Sequence, residues 1–291
     1  MRVRAASVDR GTWHIMAGLP YPIRLAGFGL RAPKPLNPGR SVAGVVASVG
    51  RDVTAFAPGD EVFGTPEGSF AEFAAASPGR LATKPTNLTF EQAAAVPVSG
   101  LTALQAVRDQ GQVGPGQRVL VIGAAGGVGS FAVQVAKAYG AEVTGAARTA
   151  KLDVVRGLGA DHVVDYTSGD LAGGERYDVI VDTGGNRPLK VLRRALTPRG
   201  RLVLVGGETG GRLLGGSERS IRALLLSPLV RQKLATFIAS ENAADLVALR
   251  DLVEAGDVRP AVDLTYPLSE AAAAVARVQD GQARGKVVVA I

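Results

Sequence analysis

The spacing of apolar residues changes near residue 90 of this chain. Before that point, short apolar runs at 42–49, 61–64, 70–76 and 80–84 are separated by turn signals such as Pro58-Gly59-Asp60 and Ser77-Pro78-Gly79. Residues 1–8 alternate like a strand. Runs of this length, broken by Gly and Pro, predict a small all-β domain. Thr89 with Gln92 three residues on predicts a capped helix over 89–95. Pro97 and Gly100 interrupt it, and 101–110 again reads as helix. From Arg118 to about Ala255 two periods alternate: strands are predicted over 118–122, 142–146, 162–164, 177–182 and 201–206, and helices over 128–139, 150–158, 187–196 and 243–255. That alternation predicts a doubly wound α/β sheet with parallel strands. The tail returns to the β pattern, and its last run, Lys286–Ile291, predicts a strand that rejoins the first domain. The expected division is therefore 1–92, rejoined by 262–291, and 93–261.

Val119-Leu120-Val121-Ile122 followed by Gly123-Ala124-Ala125-Gly126-Gly127-Val128-Gly129 is a buried strand running into a glycine turn. Val128, Phe131, Ala132, Val135, Ala136 and Tyr139 then share one helical face. Strand, glycine turn and helix in that order make a dinucleotide pyrophosphate site, because the glycines admit backbone to the phosphates and the helix N-terminus offers N–H groups and a positive dipole end. The competing reading is a structural glycine turn. In this motif an acid about 20 residues on binds the ribose 2′-hydroxyl of NAD. Here the second strand ends in Ala147-Arg148-Thr149-Ala150-Lys151, with no acid and two cations. A 2′-phosphate would be held by Arg148, so the expected cofactor is NADPH. Alternatively, Arg148 and Lys151 are solvated residues at a helix start. The strand end Asp182-Thr183-Gly184-Gly185 belongs to the same crevice, where open α/β sheets bind ligands.

The net charge is +7, from arginines scattered along the chain rather than gathered in a block with aromatics, so no nucleic-acid partner is expected. No apolar run is long enough to span a bilayer, the first residues do not read as a signal peptide, and a cytoplasmic location is expected. Cysteine is absent and only two histidines occur, His14 and His162, in different predicted domains. A zinc site needs Cys, His or carboxylate ligands around an open position, so no metal is expected.

Several segments in order resemble the zinc-free quinone oxidoreductase branch of the medium-chain dehydrogenase/reductase superfamily. They are Gly44–Gly50, Phe56–Gly64, Ala94–Leu104, the glycine loop, Leu158–Tyr166 and Ala283–Val288. The resemblance implies a GroES-like β domain beside a Rossmann domain, and NADPH-dependent reduction of quinones or α,β-unsaturated carbonyls. It places the pyrophosphate loop on Ala125, Gly126, Gly127 and Val128, and the 2′-phosphate contacts near Arg148, Lys151 and Tyr166. It places nicotinamide contacts at Thr102, Gly206 and Gly207, and a substrate-side phenol at Tyr21. It also implies a homodimer joined through the Rossmann domain, for which Lys233–Ala239 offers a β-prone edge. Three departures stand out: Gly39-Arg40-Ser41 stands where the family has Gly-x-Asp before Val-Ala-Gly, and the other two concern the chain start and Asp9. The family has two more strands before the segment matching Arg2–Ser7, so the chain is expected to start within a shortened β domain. Asp9 replaces an asparagine that borders nicotinamide and substrate, putting a carboxylate where a neutral amide is implied. These departures keep a second expectation open, a catalytically weak or inactive NADPH-binding sensor or scaffold.

Overall fold

The computed structural model describes residues 1–19, 21, 24, 37–66, 68–167, 171, 174–185, 187–206, 215 and 217–291. The chain divides into two units, Met1–Leu101 with Ser240–Ile291, and Thr102–Ala239. In the first stretch come β1 (Arg2–Val8), α1 (Arg10–Ala17), β2 (Ser41–Val45), β3 (Glu61–Gly64), β4 (Leu81–Thr83), α2 (Phe90–Ala94) and α3 (Pro97–Gln105). The second unit holds β5 (Arg118–Ile122), α4 (Gly127–Ala138), β6 (Glu142–Ala147), α5 (Leu152–Gly157) and β7 (His162–Asp165). It continues with β8 (Tyr177–Asp182), α6 (Leu189–Ala195), β9 (Leu196–Leu204), α7 (Ser217–Leu226) and β10 (Lys233–Thr236). The chain then returns to the first unit with α8 (Ala243–Glu254), β11 (Val262–Pro267), α9 (Ala271–Gln279) and β12 (Lys286–Ala290).

The first unit is built on a six-stranded sheet in the order β11-β12-β1-β2-β3-β4. The closing strand β12 lies antiparallel to β1, with Ala5 opposite Ala290 and Val8 opposite Val287. Val8, Val287 and Val289 pack with Ala274 and Val275 of α9 in one buried cluster. α8 joins this unit, whereas the sequence division ran the Rossmann domain to 261. Its end is tied there by Asn87 Nδ2 donating to Val253 O at 2.8 Å and by Thr86 N–H donating to Glu254 at 2.9 Å. The predicted cap is present: Thr89 accepts from the Gln92 N–H at 3.3 Å, and Gln92 accepts from the Thr89 N–H at 3.1 Å. Two local expectations need correction. Pro97 does not break the helix but opens α3, since a first-turn residue has no intrahelical use for its N–H. Residues 70–76 form no continuous strand, only isolated bridges at Phe73, which pairs with Arg2, and at Ala75.

The second unit is a parallel sheet in the order β10-β9-β8-β5-β6-β7. This is the doubly wound order whose reversal lies between β5 and β8, the place where such sheets bind ligands at their carboxyl ends. Its core joins Leu120, Ile180, Leu192, Leu202 and Leu204, all buried. Among the described residues β10 is an edge strand that pairs only with β9.

Candidate functional site

β5 ends at Ile122, and Gly123 turns the chain with φ +79°, a conformation open to glycine. The Gly123 and Ala124 N–H groups both donate to Ala146 O, at 3.0 and 3.1 Å, which ties the loop to β6. α4 starts at Gly127 with Gly126 as its cap residue, and no side chain caps it. A Cβ at Gly129 would run into the Gly123 carbonyl, so the helix presses directly on the strand end. Gly126, Gly127 and Val128 are half-buried and Ala125 is buried. The uncapped N-terminus of a 12-residue helix thus stands at the reversal point with backbone N–H groups available to an anion.

From the neighbouring strand, Thr183 donates its hydroxyl to Ile122 O at 2.8 Å and so pins β8 to β5. Beneath it, Asp182 is fully buried. One carboxylate oxygen accepts the Gly184 and Gly185 N–H groups at 3.1 Å each, and the other pairs with Arg219 at 2.6 Å. Arg219, on α7, also donates to Arg187 O and Gly206 O, each at 3.0 Å. Arg219 escapes a sequence reading because 37 residues separate it from Asp182 and no motif links them. Gly206 therefore sits at the crevice with its carbonyl engaged, while Gly207 falls outside the described residues.

At the tips of β6 and β7 the structure brings two predicted residues together: Arg148 Nε donates to the Tyr166 hydroxyl at 3.2 Å. Tyr166 is held from both sides, its N–H donating to Ala147 O at 3.2 Å and its carbonyl accepting from Arg187 at 2.5 Å. The Arg148 guanidinium is exposed and forms no ion pair among the described residues. Lys151 lies half-buried in the following turn. Asp165 is occupied locally: the Thr149 and Thr167 hydroxyls donate to it and hold its carboxyl below the ordinary range.

The first unit contains a second polar centre. Asp9 caps α1 by position, yet its side chain makes no capping bond. It turns inward, 6% exposed, where it ion-pairs with Lys286 of β12, itself 1% exposed. Ser41 and Ser99 donate to its two oxygens at 3.0 Å each, and Lys286 also reaches Ser99 Oγ at 3.0 Å. The carboxylate expected from the sequence is thus present but compensated by a buried cation. Tyr21 is exposed, with the Arg24 guanidinium 5.0 Å from its ring centroid, and no hydrogen bond joins it to Asp9 among the described residues. Thr102 lies half-buried on α3. Among the described residues no cluster of three or more His, Cys, Asp or Glu is placed to hold a metal. His14 contacts Leu19 O and His162 pairs with Glu142, each at 2.9 Å.

Comparison with known proteins agrees with this geometry. The alcohol dehydrogenase GroES-like domain family matches residues 1–136, and a family described as zinc-binding dehydrogenase matches 158–289. The mouse mitochondrial NAD(P)H oxidoreductase RTN4IP1 is 38% identical over 280 residues, covering 88% of this chain and 70% of that protein. An Arabidopsis thaliana chloroplast envelope quinone oxidoreductase homolog is 31% identical over 303 residues, covering 99% of this chain and 88% of its own length. A mycobacterial protein solved in complex with NADPH superposes with a TM-score of 0.82 at 25% identity, covering all of this chain and 90% of that one.

Proposed function

Since this chain belongs to the medium-chain dehydrogenase/reductase superfamily as a quinone oxidoreductase-like member, we propose that it is an NADPH-dependent, zinc-independent reductase of quinones or α,β-unsaturated carbonyls. The observation that carries the reading is the acid-free tip of β6, where the Arg148 guanidinium, without an ion pair among the described residues, is steadied by Tyr166 beside the glycine cradle. When bound, NADPH supplies the hydride.

The protein's part is to bind and orient. The uncapped N-terminus of α4 takes the pyrophosphate through backbone N–H groups, with Gly126 and Gly127 keeping side chains out of the way. Arg148 distinguishes the 2′-phosphate from a bare hydroxyl by a charge-assisted contact. Asp182 and Arg219 fix the ends of β8 and β9 and keep the Gly206 backbone in place. Tyr21 is assigned to the acceptor carbonyl, and Thr102 and Gly207 to the nicotinamide, on resemblance. Asp9 and Lys286 together carry no net charge, so the pair leaves charge developing on the acceptor oxygen largely unopposed.

Zinc independence rests on the donor set, which has no cysteine and two separately engaged histidines. We further propose a homodimer paired through the free edge of β10 and a cytoplasmic location. Among the described residues no helix is long and apolar enough to cross a membrane. The test is NADPH oxidation with a panel of quinones and enones, before and after exhaustive chelation. Turnover that survives chelation supports the proposal. Chelator-sensitive turnover restored by zinc removes zinc independence. Tight NADPH binding without turnover of any acceptor favours the sensor or scaffold instead.

A further inference from the structure

The amino ends of β8, β9 and β10 lie at the opposite edge of the parallel sheet from the glycine loop. A concave volume of about 550 Å³ opens there. Five cations line it: Arg176 just before β8, Lys190, Arg193 and Arg194 from α6, and Arg231 just before β10, with no acid among the lining residues. None of the five forms an ion pair among the described residues. Clefts lined by one sign of charge concentrate their field and draw in ions of the other sign.

Two of the arginines are set in place by the surrounding fold. Gln232 is 9% exposed, and its amide oxygen accepts from Arg193 Nε at 3.0 Å. Its amide nitrogen donates to Arg193 O at 2.9 Å and Thr197 O at 3.3 Å. A buried side chain therefore holds the guanidinium through Nε, and among the described residues both terminal nitrogens of Arg193 are left for a ligand. Arg176 is fixed through Leu196 O at 3.3 Å. The carbonyl end of α6 accounts for Arg193 and Arg194 as favourable partners of the helix dipole. It does not account for Arg176 or Arg231, which come from two other connections.

We propose that this basic cavity is a binding site for a multiply charged phosphate-bearing anion, separate from the cofactor site. The arginine forks match phosphate oxygens in pairs, and five uncompensated cations call for a ligand with two or more negative charges. The phosphate is carried either by a soluble molecule or by an anionic lipid headgroup. Calorimetric titration with inorganic pyrophosphate and sedimentation with phosphatidylglycerol vesicles separate these sources. Both are run on the full chain saturated with NADPH, and on a Lys190→Ala/Arg194→Ala/Arg231→Ala variant. The three replaced side chains are exposed and make no hydrogen bond among the described residues that the fold relies on, so NADPH affinity and unfolding temperature should stay at wild-type values. Binding of either probe that drops at least ~10-fold in the variant and weakens with salt supports the site, the responding probe naming the source. Binding of neither probe at millimolar concentration, or equal binding by wild type and variant, overturns the proposal.

Discussion

Replacing Lys286 with methionine leaves the Asp9 carboxylate buried beside two serine hydroxyls and no cation. Breaking a buried ion pair from one side costs about 3–5 kcal/mol. An independent bound gives the same range. An orphaned carboxylate escapes by taking a proton, which at pH 7 costs about 1.4 kcal/mol for each pH unit above an ordinary aspartate value near 3.9, so roughly 4 kcal/mol. For a unit of this size that is a fall in unfolding temperature of roughly 8–16 °C. The same bound makes the penalty pH-dependent: at pH 5 it shrinks to about 1.5 kcal/mol. Asp9→Asn is also destabilising, with the opposite pH dependence. It strands the Lys286 ammonium, whose escape by deprotonation costs roughly 5 kcal/mol at pH 7 and less as pH rises. An isolated Asp9 would have made Asp9→Asn a simple gain of turnover; the contact with Lys286 makes it a loss of stability first. Asp9→Asn/Lys286→Met removes both charges and should recover most of the loss. Thermal unfolding of the four proteins at pH 5, 7 and 9, followed by circular dichroism, checks this. Single variants within about 1 kcal/mol of wild type at pH 7, or penalties that do not move with pH, would refute the reasoning.

Asp161 and Asp165 both titrate below the ordinary aspartate range. For Asp161, partial burial works against ionisation but is outweighed by hydrogen bonds from Lys137 and the Val143 N–H and by the Lys137 charge. For Asp165, the Thr149 and Thr167 hydroxyls are responsible. Depressed native values mean that their stabilisation is complete above the unfolded value, near pH 4, and is lost as pH falls through the lower native values; carboxyl NMR titration should show both midpoints below those of an unfolded peptide. Ile238, 97% exposed just past β10, lies on the edge proposed for dimer contact. Light scattering at micromolar concentration should give a dimer mass that Ile238→Asp lowers, and a monomeric wild type would end that assignment.

Much of the cofactor-binding unit is readable from local pattern. β5 and β8 span the expected residues, 118–122 and 177–182, because their centres, Val119–Ile122 and Val179–Val181, are the continuous hydrophobic runs that a strand buried on both faces writes. The Arg148–Tyr166 contact joins the carboxyl ends of adjacent parallel strands; only the resemblance, not the local pattern, places Tyr166 near Arg148. What stays hidden depends on partners distant in sequence. Asp9 and Lys286 are 277 residues apart, and nothing near Asp9 signals a cation across β1 and β12. α8 has the helical spacing of its neighbours, and contacts made far along the chain, among them those with Thr86, Asn87 and Gly100, assign it to the first unit. Residues 70–76 have the alternation of a strand but make only isolated bridges, at Phe73 and Ala75, as local β propensity does not supply a partner.

The central claim is that Arg148 selects NADPH at the glycine loop, and fluorescence titration of NADPH and NADH against wild type and Arg148→Ala tests it most directly. A charge-assisted contact contributes about 1.5–3 kcal/mol, and solvent at this exposed position moves the expectation to the lower end, roughly 10-fold in Kd. Wild type should prefer NADPH, and Arg148→Ala should weaken NADPH by that factor while leaving NADH nearly unchanged. Equal loss for both cofactors, or a wild type that binds NADH more tightly, would contradict the account.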